Sequence, residues 1–301
     1  MEKDILHVIH YFSLFSYPPT FEDIHMFLSR RTTTHALILK LDQLVKKRKI
    51  IRKRLKIGQL FTFNSQFSTD IYTLPQYSIF LKSVHKKMLL SQSKLHKVRL
   101  YLRLLSFVPQ IKLVGISGSL AMMNAQKDDD IDLFIISSIG KMWTARFIAT
   151  CLALGMGMKR KRGVLYARDK VCLNLVFDVS DLTIPKSKRS EYTAHEVLQM
   201  KPIINKSSVY DKFIWDNRWV VRFFPNQKGR IETYARSVKK KYPFKESVMT
   251  HRSKLIMMDV IEKVLRKAQL YFIHRHTTTE RISETQLWFH PDDFQKKLSV
   301  K

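Results

Sequence analysis

Residues 114–137 read VGISGSLAMMNAQKDDDIDLFIIS, a Gly-Ser turn followed at close range by an acid-apolar-acid triplet. Val114 and Ile116 have the character of a strand that ends at Ser117, Gly118 and Ser119. Residues 120–125 suit one short helix, and Ile131 to Ile136 is the unbroken apolar run of a buried strand. Asp130 and Asp132 stand two apart. Residues i and i+2 of a strand point to one face, so the two carboxylates can share one divalent cation, or two, while Ile131 and Leu133 face the core. Oxygen ligands of this kind suit Mg²⁺. A carboxylate at position 132, inside an apolar run, is costly to bury without a cation or hydrogen-bond donors around it. The stretch therefore reads as a metal-dependent phosphate site.

The pattern resembles the signature of the DNA polymerase beta-like nucleotidyltransferases. In that family an apolar residue, Gly and Ser precede an Asp-apolar-Asp triplet by about a dozen residues, and here the matching residues are Gly118, Ser119, Asp130, Ile131 and Asp132. The resemblance implies an α+β fold whose nucleotidyltransferase core is a small mixed sheet with helices. It also implies that the Gly-Ser turn opens a helix and holds a nucleotide's phosphates, in keeping with the preference of anions for N–H groups at helix N-termini.

Active members of the family carry a further acid on a neighbouring strand, which completes the metal site and accepts the proton of the attacking hydroxyl. The candidate strand is KVCLNLVFD, residues 170–178. Strand alternation places Leu173, Leu175 and Phe177 on one face and Cys172, Asn174, Val176 and Asp178 on the other. The family's apolar-acid-apolar pattern falls on Leu173, Asn174 and Leu175, where this chain offers an amide. Asp178 is on the same expected face but about 13 Å further along the strand. Three readings stand side by side: Asp178 or Asp181 supplies the acid, Asn174 supports a weaker site, or the chain is a binding-only relative.

If chemistry occurs, the resemblance implies Mg²⁺-dependent transfer of a nucleoside monophosphate from an NTP to a hydroxyl. Two ions would be held about 3.5–4 Å apart by Asp130 and Asp132, with Asp178 as the third catalytic acid. Gly118 and Ser119 would hold the triphosphate. Arg146, in the segment GKMWTARF that opens the next helix, is the candidate to neutralise phosphate charge. The alternative is a weak or inactive relative acting as a nucleic-acid-binding or antitoxin-like regulator.

Composition frames the site. The chain has 301 residues, 45% of them apolar, which allows two cores and excludes wholesale disorder. Lys plus Arg number 54 against 25 Asp plus Glu, a formal net charge of +29. That excess favours a polyanionic partner, nucleic acid first and an anionic membrane surface second. Cys151 and Cys172 lie in apolar settings and read as reduced core residues. Neither belongs to a CxxC pair, and the HRH segment at 274–276 has no cysteines at zinc-site spacing. The start MEKD lacks a signal-peptide apolar region. The longest apolar run, residues 147–158, is too short to span a bilayer. A cytoplasmic protein without a transmembrane segment is the expectation.

Residues 1–65 form a distinct segment. Ile5, Val8, Ile9 and Phe12 have helical spacing, Thr20 is placed to cap a second helix, and Thr34 a third that runs to about Lys47. Two strand-like runs follow, IIRKRLK and QLFTF, separated around Gly58. Three helices and a hairpin resemble a winged helix-turn-helix domain. His35, Lys40 and the hairpin's basic residues are candidate contacts to DNA or RNA, although such domains also bind proteins. Between Lys46 and Lys56, eight of eleven residues are basic, enough for salt-dependent phosphate contact.

Residues 66–110 read as a helical linker whose basic face, including Lys94 and Lys97, is solvated or extends a nucleic-acid channel. The nucleotidyltransferase core spans 111–185. Residues 186–301 read as mostly helical, with one helix from about Tyr192 to Lys201 and another near Leu255 to His274. Trp215, Trp219, Phe223 and Phe224 weigh towards core, with base stacking as the alternative.

Overall fold

The structure, a computed structural model, describes residues 1–57, 67–160, 167–241, 252–274 and 281–289. The fold is α+β with a mixed sheet. Its contacts divide the chain into two units, Met1–Leu89 with Arg218–Ile231, and Leu90–Asn217 with Glu232–Lys301.

The first unit contains α1 (Glu2–Ser13), α2 (Phe21–Met26), α3 (Thr34–Lys46), β1 (Ile51–Ile57), β2 (Phe67–Thr73) and the start of α4 (Phe80–Ser106). α1 buries Ile5, Val8, Ile9 and Phe12, the spacing read from the sequence. Thr20 caps α2 through a reciprocal box with Asp23. Thr33, one residue before the expected Thr34, caps α3. Its backbone is extended (ψ 152°) and its hydroxyl accepts from the Ala36 N–H, as an N-cap requires, while Thr34 is already helical. β1 pairs antiparallel with β2 from Ile51↔Thr73 to Ile57↔Phe67. The strand expected at QLFTF lies outside the described residues, and the partner of β1 is the later run FSTDIYT.

Several of this unit's basic residues are engaged within it. Lys40 and Lys49 pair with Glu2, and Arg52 pairs with Asp42. His35, Lys46, Lys47 and Arg48 are exposed. The segment Arg218–Ile231 joins this unit from far along the chain. Asn226 accepts from the Thr32 N–H at 2.8 Å and donates to the His25 carbonyl at 2.7 Å, and the Phe224 and Phe27 rings meet at 5.0 Å. Trp219 and Phe224 are buried, and so are core.

The second unit holds the rest of α4, followed by β3 (Ile111–Ile116), α5 (Gly118–Ala121), β4 (Ile131–Ser137), α6 (Met142–Gly155) and β5 (Val171–Asp178). Next come α7 (Glu191–Gln199), β6 (Lys201–Asn205), α8 (Val209–Asp216), α9 (Lys228–Lys241, of which the part from Glu232 belongs here), α10 (Arg252–His274), β7 (Arg281–Ile282) and β8 (Gln286–Trp288). The strands form one sheet in the order β6-β3-β4-β5-β8-β7, in which β4 and β5 run parallel and the other described pairs antiparallel. A parallel pair needs a crossover, and α6 is the helix that provides it.

Ala145, Ala149 and Ala153 recur every four residues along α6 and are fully buried, in one cluster with Ile131, Leu133 and Ile135 of β4 and Val171 and Val176 of β5. Small side chains there allow helix and sheet to approach closely. The opposite face of the sheet carries Phe134, whose ring contacts Phe177 and Phe213. β4 is thus apolar because both its faces are covered.

The region read as mostly helical after residue 185 also supplies β6, β7 and β8. The helix expected from about Tyr192 to Lys201 ends at Gln199, and Pro202 lies in β6, whose edge position tolerates a residue without an N–H. The basic run 236–245 passes out of the described residues after 241, as does the HRH segment after His274. Among the described residues no helix is long and apolar enough to cross a membrane.

Candidate functional site

The Gly-Ser turn is the hinge between β3 and β4. The Ser117 N–H donates to the Asp132 carbonyl at 3.1 Å, one rung beyond the Ile116↔Leu133 pair, so Ser117 lies directly across from Asp132. Gly118 has φ +62°, and a Cβ there would stand 2.8 Å from Asp132 Oδ2. Both facts demand glycine: the backbone is left-handed, and a carboxylate oxygen fills the space of a side chain. The helix begins at Gly118 and ends at Ala121, earlier than the expected 120–125, because Met123 turns to φ +55°.

Ser119 donates its hydroxyl to Asp129 Oδ2 at 2.7 Å, and the same oxygen accepts the Gln126 N–H at 2.8 Å. Asp129 is therefore the residue that ties the Gly-Ser turn to the acidic loop. The Ser117 hydroxyl is buried and finds no hydrogen-bond partner among the described residues.

The sheet brings Asp130 and Asp132 together as read, and adds Cys172. Asp132 and Cys172 are register partners on the parallel strands β4 and β5, so their side chains share a face. One ligand atom from each of Asp130, Asp132 and Cys172 lies within 4.8 Å of the other two. Asn174 donates its amide to Asp132 Oδ1, and its own carbonyl oxygen accepts the Cys172 thiol at 2.6 Å. A carboxylate offers only acceptors and a thiol mainly a donor, which fixes this orientation of the amide. Arg160 donates to Asp130 Oδ2 at 2.5 Å and reaches Cys172 Sγ at 3.9 Å.

The electrostatics follow from this crowding. Burial, and then the Asp130 charge, push the Asp132 carboxyl up to about 7, against the opposing pull of the Asn174 amide. Burial, and then Asp132 and Asp130, push the Cys172 thiol up to about 12. Tyr192 of α7 is raised as well, by burial, then Glu196, then Asp132, which puts the α7 segment within electrostatic reach of the site.

Lys94 holds the acidic loop from beneath. Its place on the basic face of a helix suggests a solvated side chain, yet it is 2% exposed. Its ammonium donates to the Lys127 and Asp129 carbonyls at 3.1 and 2.6 Å and to Asp169 Oδ1 at 2.9 Å, so all three N–H bonds are used. A buried cation needs this full set of partners. Ser91, one turn earlier on α4, accepts the Ala125 N–H. Helical spacing alone gave no sign of either role, since the partners are 33 to 75 residues away.

Three expected site residues lie elsewhere. β5 carries one residue more than β4 at Asn174, so that Leu133↔Leu173 is followed by Phe134↔Leu175. Such a bulge inverts the alternation. Asp178 pairs with Ser137, an odd number of residues from Asp132, and so sits on the other face about 16 Å along the strand. Its carboxylate accepts from the Gly140 N–H at 2.6 Å and from the Ser180 N–H and hydroxyl at 2.9 and 2.6 Å, and organises turns. Asp181 accepts from the Thr285 hydroxyl. Arg146 is buried on α6, with Nη1 on Gln269 Oε1 at 2.6 Å and its guanidinium 4.9 Å from the centre of the Phe289 ring. It belongs to the packing of α6 on α10. His195 is buried on α7.

The polymerase beta-like pattern implies Mg²⁺, and the donor set can be tested against it. Asp130 and Asp132, whose Oδ2 stands beside the Gly118 turn, fit one divalent cation, and the buried Ser117 hydroxyl, on the residue across from Asp132, has no partner among the described residues. For a second ion, no third carboxylate stands in the cluster among the described residues: the neighbour of Asp132 is the Asn174 amide, which donates to it. No family model, no curated protein and no solved structure matches the chain.

Proposed function

We propose that the second unit is a polymerase beta-like nucleotidyltransferase core that binds a nucleotide through one divalent cation and has weak or no transfer activity. Asp130 and Asp132 hold the cation, and the Gly118–Ser119 turn faces the phosphates of an NTP. The observation that carries this reading is the Asn174 amide seated on Asp132, where catalysis would need a third carboxylate. Asp178 and Asp181, the other candidates for that acid, are occupied with turn and strand-end hydrogen bonds. Without the acid, the described residues offer no second cation site and no base for the attacking hydroxyl.

The first unit supplies a basic, winged-helix-like module for a nucleic acid. The support is its order of three helices and a hairpin, the extra bridge Thr20↔Ile71, and the exposed Lys46, Lys47 and Arg48 where α3 meets β1. On this reading the whole chain is a nucleotide-responsive nucleic-acid-binding regulator.

The test is Mg²⁺-dependent binding and turnover of labelled NTPs by the full chain, beside an Asp130→Ala, Asp132→Ala double variant. Cation-dependent binding that the double variant loses, without label transfer to RNA or protein acceptors, is the expected result. Label transfer or pyrophosphate release lost in the variant would establish the enzyme instead, and no binding would overturn the site.

A further inference from the structure

We infer that Cys172 is a third ligand of the cation site, so that the site takes a thiophilic divalent ion such as Zn²⁺ more tightly than Mg²⁺. This deepens the proposed function, from which it takes the two-carboxylate cation site. Three independent observations converge on it.

The first is placement. Asp132 and Cys172 are fixed opposite one another by the β4–β5 register, and Asp130 comes from the residue just before β4. The ligand atoms of all three lie within 4.8 Å of one another. Donors around a tetrahedral Zn²⁺ stand about 3.3–3.8 Å apart, given bonds of about 2.0–2.3 Å, so closure needs shifts of about 1 Å, within the reach of side-chain rotation. The rigid sheet sets the positions of Asp132 and Cys172, and Lys94 clamps the loop that carries Asp130.

The second is the cation the protein already puts there. The Arg160 guanidinium bridges Asp130 at 2.5 Å and Cys172 at 3.9 Å, two of the three ligands. It is 39% exposed and can swing out towards solvent, while the ligands stay with the sheet. A divalent ion at this point replaces the guanidinium and adds one positive charge, which the thiolate formed at Cys172 on binding offsets.

The third is an unmet polar group. Ser117, 5% exposed, lies across from Asp132 with its hydroxyl unpartnered among the described residues. Buried polar atoms are paired as a rule, and a cation or its bound water at the Asp132 carboxylate gives this hydroxyl a neighbour.

Ligand chemistry then selects the ion. Mg²⁺ takes oxygen ligands in near-octahedral geometry, whereas a thiolate with two carboxylates suits Zn²⁺, with Co²⁺ as its spectroscopic stand-in. On binding, the Cys172 S–H bond breaks, its proton passes to solvent and the sulfur lone pair goes to the metal. The Asn174 carbonyl oxygen is released from the thiol in the same step.

The experiment titrates Co²⁺ and Zn²⁺ into the full chain, in wild type and in Cys172→Ser, Cys151→Ser and Arg160→Ala. The expected result is a near-ultraviolet thiolate-to-cobalt absorption band in wild type and Cys151→Ser that is absent from Cys172→Ser. Zn²⁺ affinity falls at least about tenfold in Cys172→Ser, the lower end of what even a supporting residue contributes, and rises in Arg160→Ala. No band in the folded wild type overturns the proposal without need of a variant. So does a band that Cys172→Ser keeps or that Cys151→Ser removes. Mg²⁺-dependent nucleotide binding is measured on the same samples. Its survival with no cobalt band overturns only the Cys172 ligand, whereas a cobalt band without nucleotide binding overturns only the nucleotide reading.

Discussion

Asn174 turns its amide nitrogen to the Asp132 carboxylate and its oxygen to the Cys172 thiol, so one neutral side chain holds two of the three clustered side chains Asp130, Asp132 and Cys172 without adding a charge. A carboxylate in its place would put three acids around one point, which is stable only with cations present. The amide lets the cation-free site stay folded. Each expectation below follows from that arrangement or from what surrounds it.

Asn174→Asp puts a third carboxylate beside Asp132. Cation affinity, followed by calorimetry with Mn²⁺, should rise about tenfold, or 1.4 kcal/mol, while the cation-free protein melts at a lower temperature. Unchanged affinity would mean that position 174 does not face the cation.

The Asp132 carboxyl, raised to about 7 in the folded chain, binds a proton there that the unfolded chain, at its ordinary value of about 4, has lost. Its contribution to stability is therefore complete below about pH 4 and is lost as pH rises through about 7. Thermal melts of the cation-free protein should show this decline between pH 5 and 8. A divalent cation at pH 8 should reverse it, and Asp132→Asn should flatten it. A melting temperature that climbs with pH over this range in wild type but not in Asp132→Asn would contradict the assignment.

Gly118→Ala meets two obstacles, the left-handed backbone at φ +62° and the Asp132 oxygen 2.8 Å from the new Cβ. The backbone term alone costs about 1–2 kcal/mol. Displacement of the carboxylate should also weaken cation binding, so denaturant midpoint and Mn²⁺ affinity should fall together. Loss of stability with full cation affinity would show that Asp132 does not depend on the turn.

Lys94→Met keeps an unbranched side chain, one atom shorter, and removes its charge. The Lys127 and Asp129 carbonyls lose a buried donor and Asp169 keeps Lys97 as its ion-pair partner. A loss of about 3 kcal/mol is expected, on the scale of breaking a buried pair, read by urea unfolding. A change below 1 kcal/mol would place the ammonium in water.

Asp178→Asn separates the two acid assignments. Its donors are turn N–H groups and a serine hydroxyl on the face away from Asp132. Stability should fall by about 1–3 kcal/mol as charge-assisted hydrogen bonds weaken, with cation affinity unchanged. A large loss of cation affinity in a folded Asp178→Asn variant would return Asp178 to the metal site.

Much of this was legible in the chain itself. The unbroken apolar run LFII after Asp132, the Gly-Ser turn ahead of it and the helical spacing of Ile5, Val8, Ile9 and Phe12 are local patterns, and local sterics and burial fix what they become. The pairing of Asp130 with Asp132 follows from strand alternation over two residues, too short a distance to be altered by anything remote. The Thr20 cap is likewise complete within four residues.

Tertiary structure decided the rest, because it depends on register and on partners far along the chain. A single extra residue in β5 sends Asp178 to the wrong face and leaves Asn174 beside Asp132, and no property of KVCLNLVFD taken alone announces that bulge. Arg146 has the chemistry of a phosphate ligand, but the glutamine 123 residues later claims it for helix packing. Lys94 reads as one basic residue among many until the loop carbonyls arrive to bury it. The sequence determined which side chains have the chemistry; the sheet's pairing determined which of them meet.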